Sequence, residues 1–77
     1  MNPLQTIPIL TPTKLSARLK SLRKRHGLTQ AALGERIGVK QARMADIENN
    51  PGTVSVEQML KILHVLDARI VLEDRQH

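Results

Sequence analysis

The stretch TQAALGERIGVKQARMADIE, residues 29–48, decides the fold. Thr29 is a ready N-cap, and Ala32, Leu33 and Ile37 follow it on one face until Gly38 stops the run. The spacing predicts a helix of about two turns. A second short helix begins near Lys40, turns Met44 and Ile47 inward and ends at Asn49. Its leading end holds Lys40, Gln41 and Arg43, which are long, polar and mostly positive. Leu33, Ile37, Val39, Met44 and Ile47 are apolar where two short helices crossing steeply must share a core. Gly34 is the informative exception. Glycine inside a helix costs ~1 kcal/mol relative to alanine, so its use here implies that the third helix comes too close for a side chain. The pair reads as a helix-turn-helix, with Gly38 serving the turn.

Working outward, Thr11 caps a first helix with Pro12 at its first position, and Leu15, Leu19 and Leu22 form its apolar stripe. His26 sits in its last turn and Gly27 ends it. After the second short helix, NNPG (residues 49–52) signals a turn, and Ser55-Val56-Glu57-Gln58 has the form of a capping box opening a fourth helix that ends near Asp67. Val56, Met59, Leu60 and Leu63 suit its core face. Ile62, Val65 and Leu66 widen the stripe beyond one face and imply a second buried surface, assigned to a dimer partner. RIVLED, residues 69–74, alternates as a strand does, and Ile70, Val71 and Leu72 extend the dimerisation set. An unpaired strand tends to pair with another chain; a frayed tail, or pairing with Ile7–Leu10, is the alternative. The expected fold is all-α, four to five short helices with a helix-turn-helix, plus one C-terminal β-strand pairing across a homodimer. Residues 1–10 form an N-terminal arm whose order the sequence leaves open, 11–67 the helical domain, and 68–77 the dimerisation strand and tail.

Composition narrows the function. A chain of 77 residues makes one small, marginal core, and without cysteine neither disulfides nor thiolate metal sites can help it. A partner subunit is the remaining help. The core has no Phe, Tyr or Trp, which suits packed helices and removes the aromatic platforms on which RNA bases stack. The net charge is +5, yet Lys14, Arg18, Lys20, Arg23, Lys24 and Arg25 run without an acid while most acids lie beyond Ala45. Such two-sidedness suits a polyanion on one side and another contact on the other. His26, His64 and His77 have no metal-ligand spacing and no serine lies in a nucleophile motif, so neither an enzyme nor a cofactor is expected. No apolar run is long enough for a membrane span, and the expected location is cytoplasmic.

Residues 23–63, RKRHGLTQAALGERIGVKQARMADIENNPGTVSVEQMLKIL, together with RIVLED, resemble the lambda-repressor-like (XRE-type) helix-turn-helix proteins. Within them IGVKQA, ENNP and the single terminal strand resemble the HipB-type antitoxins. The resemblance implies a DNA-binding set of Thr29, Gln30, Lys40, Gln41, Ala42, Arg43 and Asp46. Gln30 would touch a phosphate and brace Gln41, and Gln41 would read a base, its amide matching adenine N6 and N7. Arg23 and Glu48 match a buried ion pair tying the first helix to the third. Two positions depart from the pattern. Lys40 stands where relatives often have a threonine or serine cap, and its charge opposes the helix dipole unless a phosphate or guanine lies nearby. Asp46 repels phosphate; it either accepts from a donor such as cytosine N4 or restrains Arg43 at i, i+3 spacing.

The resemblance further implies a homodimeric repressor on a palindromic operator of double-stranded DNA. It also implies a second partner, a HipA-type serine/threonine kinase toxin, bound by the acidic C-terminal half that includes Glu57, Asp67, Glu73 and Asp74. A stand-alone transcriptional regulator without a toxin needs the same reading helix and is the alternative.

Overall fold

A computed structural model describes residues 5–76. It contains α1 (Pro12–Arg25), α2 (Gln30–Ile37), α3 (Gln41–Asn49) and α4 (Val56–Val65), with a 3-10 turn at Pro51–Thr53 between the last two. Thr11, Thr29 and Ser55 each accept a hydrogen bond from a backbone N–H of the first helical turn, at 3.2, 3.0 and 3.1 Å. The capping box of α4 is half made: the Ser55 hydroxyl accepts from the Gln58 N–H, and Gln58 does not reciprocate.

Three of the four helices, α1, α2 and α4, end by one device. At α2 the N–H of Gly38 donates to the Glu35 carbonyl and that of Val39 to the Gly34 carbonyl, with Gly38 in the left-handed region at φ 82. Gly27 (φ 69) closes α1 in the same way. At α4 no glycine is available, and Asp67 takes φ 54, a conformation that short polar side chains tolerate.

The core is one cluster. Leu19 of α1, Leu33 and Ile37 of α2, Met44 and Ile47 of α3, and Met59, Ile62, Leu63 and Leu66 of α4 and its cap are all buried. Leu15, Leu22, Val39 and Val54 pack at its edge. Ile62 and Leu66, expected at a dimer surface, are 0% and 1% exposed and belong to the protomer core. Val56 and Leu60, expected in the core, face outward. Both assignments obey i, i+3, i+4, i+7 spacing, with one stripe starting three residues after the other. The choice between them comes from the entry into α4. Val54 is packed against the core from the position before the Ser55 cap, the position from which a hydrophobic staple reaches the residue Met59 occupies. Val56, two residues on, is thereby turned away.

Residues 5–11 and 68–76 carry no helix or strand, so the C-terminal strand is not formed in the isolated protomer, nor does residue range 69–74 pair with Ile7–Leu10. Residues 1–4 of the expected arm and residue 77 of the tail lie outside the described residues. Val65 is half-buried at the core edge, whereas Ile70, Val71 and Leu72 are exposed.

Gly34 is required, and its neighbour is the turn as much as α3. A Cβ there would lie 2.7 Å from the Val39 carbonyl oxygen and 3.5 Å from Met44 Cβ. Gly34→Ala should therefore destabilise by about 1–2 kcal/mol, the forced shift of the turn outweighing the ~1 kcal/mol gained in helix propensity. Urea unfolding measures it; a more stable variant would show that the turn yields freely.

Candidate nucleic-acid interface

The candidate surface is the leading end of α3. Gln41 opens the helix after Lys40, which is its N-cap residue but forms no side-chain cap bond. The first-turn N–H groups of α3 are therefore left without a side-chain acceptor from the protein, beside an exposed lysine. That end offers donors and positive charge to an anion. Lys40, Gln41, Ala42 and Arg43 are all exposed, while Met44, Ile47 and Glu48 hold the opposite face in the interior.

Glu48 is the only buried charged side chain among the described residues, at 0% exposure. Arg23 Nε donates to one of its oxygens at 2.6 Å, and Gln30 Nε2 to the other at 3.2 Å. Arg23 Nη1 also donates to the Leu28 carbonyl at 2.9 Å. One carboxylate thus joins α1, the α1–α2 turn, the start of α2 and the body of α3. No buried side-chain polar atom among the described residues lacks a partner. The expected ion pair is formed, but the expected brace from Gln30 to Gln41 is not, because Glu48 holds the Gln30 amide. Sequence spacing could not reveal this, since Gln30 and Glu48 are 18 residues apart.

On the outer face Arg43 Nη1 donates to Asp46 Oδ2 at 2.8 Å, one of the two roles the sequence leaves open for Asp46. Asn50 Nδ2 donates to Asp46 Oδ1 at 3.2 Å. Asn50 was not among the expected residues, although its i, i+4 distance from Asp46 carries the signal. Thr29, exposed, is occupied as the α2 cap. Lys24 and Arg25 in the last turn of α1 and Arg36 in the last turn of α2 are exposed cations, as Lys40 is. Arg18 and Lys20 of α1 are half-buried.

No helix among the described residues is long and apolar enough to cross a membrane, and no cluster of three or more His, Asp or Glu able to hold a metal occurs among them.

Residues 19–71 match the helix-turn-helix family model. Antitoxin HipB from Escherichia coli O6:H1 is 38% identical over 69 residues, covering 90% of this chain and 73% of that protein. Antitoxin HipB from Escherichia coli K12 is 36% identical over 69 residues, covering 90% and 78%. Among solved structures, the HipB chain of a HipB-O1-O2 complex superposes with a TM-score of 0.78 at 36% identity, over 90% of this chain and 100% of that one. A chain of a HipA-HipB-O2-O3 complex gives 0.79 at 35% identity, over 92% and 100%.

Proposed function

The chain belongs to the helix-turn-helix family and within it to the HipB antitoxins, and from that premise we propose that it is a sequence-specific DNA-binding repressor. It acts as the antitoxin of a HipA/HipB-like operon, binding operator DNA as a homodimer and neutralising a HipA-type kinase. The observation that carries this reading is the exposed Lys40–Arg43 end of α3, held against the rest of the fold by the buried Arg23–Glu48–Gln30 network. A helix so presented enters a major groove with its N-terminal residues against base edges.

Two such helices in a dimer reach half-sites about one DNA turn apart, ~34 Å, which requires a palindromic operator. Ile70, Val71 and Leu72, exposed in the isolated protomer, form the dimer contact when residues 69–74 pair with their symmetry mates. Lys24, Arg25, Arg36 and Lys40 supply phosphate contacts common to all sequences. The test is a mobility shift on the DNA upstream of its own gene with a salt titration. Tight, palindrome-dependent binding that weakens steeply with salt is expected; binding no better than to random DNA would overturn the reading. Gln41→Ala should lower discrimination at one base pair by about 1–3 kcal/mol with the fold intact, read across a library of single-base site variants. An unchanged preference at every position would remove Gln41 from base reading.

A further inference from the structure

An acid stands where a polyanion is to be met. Asp46 lies one turn beyond Ala42 on the side of α3 opposite Met44, Ile47 and Glu48. Its carboxylate is held at both oxygens, by Arg43 at 2.8 Å and by Asn50 at 3.2 Å. The pair is open to solvent, with side chains 48% and 54% exposed, so it contributes little to stability. Its geometry therefore matters for what Arg43 can reach.

We propose that Asp46 is a specificity-determining residue acting through Arg43. It holds the guanidinium at the flank of the reading face and keeps it from phosphates, so that Arg43 engages DNA where a guanine presents O6 and N7. The proposal rests on the DNA-reading function above and concerns how that same surface discriminates.

A free arginine on a reading helix would strengthen binding to every sequence, because any phosphate it neutralises releases counterions. Asp46 opposes that in two ways: its carboxylate competes with phosphate for the guanidinium, and it repels the phosphate brought close to it. A guanine edge carries no net charge, so it escapes the repulsion. The guanidinium has five N–H donors, enough to bind two base acceptors while one donor stays on Asp46. Asn50 keeps the carboxylate from swinging aside by binding its second oxygen. The cost of the acid thus falls on phosphate contacts rather than on the base contact.

Asp46→Asn removes the charge with little change of size and leaves an oxygen to accept from Asn50. The probes are a duplex that the wild-type protein selects from a randomised-site pool and a scrambled duplex of the same length and composition. The variant should bind the scrambled duplex about three- to tenfold more tightly, with the log–log salt slope steeper by about one. Its affinity for the selected duplex should change by no more than about threefold, so the ratio between the duplexes falls. In an Arg43→Ala background the same substitution should give only about twofold, the part owed to lifting the carboxylate's own repulsion, since the guanidinium it releases is gone. An equal gain in that background would overturn the route through Arg43. Unchanged binding of the scrambled duplex by a variant whose parent still selects its site would overturn the gate alone. A wild-type protein that selects no sequence would overturn the DNA-reading function and the gate with it.

Discussion

Arg23→Ala is expected to lower the unfolding free energy by about 3–5 kcal/mol, because it strands a carboxylate that has no access to water. Glu48 is 0% exposed, and its strongest partner is the Arg23 guanidinium at 2.6 Å. The remaining Gln30 amide, at 3.2 Å, is neutral and cannot balance the charge. The same substitution frees the Leu28 carbonyl, so the α1–α2 turn loses a tie as well. For a domain of this size such a loss is a large part of a total stability of roughly 5–15 kcal/mol. Urea unfolding followed by circular dichroism measures it. Replacing both partners by apolar residues, Arg23→Met with Glu48→Leu, should recover much of the loss, since no buried charge then remains. A loss below about 1 kcal/mol for Arg23→Ala would mean that the pair behaves as a surface ion pair and that α3 is oriented by packing alone.

Leu66→Ala is expected to destabilise by about 2–5 kcal/mol, the cost of a cavity in a packed core. Leu66 is 1% exposed within the protomer, and it caps α4 where Ile62 and Leu63 already fill the interior. Leu72→Ala, at a residue 93% exposed, should change protomer stability by less than about 0.5 kcal/mol. The comparison separates core from surface, because sequence pattern alone assigns both positions to dimerisation. Unfolding curves over a range of protein concentrations supply the measurement. A Leu66→Ala protein with the unfolding midpoint of the parent, but dissociated into folded monomers, would return Leu66 to the dimer surface.

The exposed polar end of α3 was legible because its signals are local. Thr29 and Gly38 bound α2 through a cap and a left-handed turn, each determined within a few residues, and Met44 and Ile47 declare which side of α3 is inside. What lay opposite them was then exposed by elimination. The Arg43–Asp46 restraint is likewise an i, i+3 relation that any helix imposes. The partner of Gln30 was not legible, because a hydrogen bond across 18 residues depends on how α2 and α3 cross.

By itself, then, the sequence determined the helices, their ends, the required glycine at 34 and the polar leading end of α3, since each follows from backbone conformation or from periodicity within one element. Only the tertiary structure decided which of two equally periodic stripes on α4 is the core. Ile62 and Leu66 are inside, and Val56 and Leu60 outside, in a chain that enters α4 with Val54 packed against the core cluster. A stripe records that a face is buried, whereas the choice of face depends on where the preceding turn places the helix.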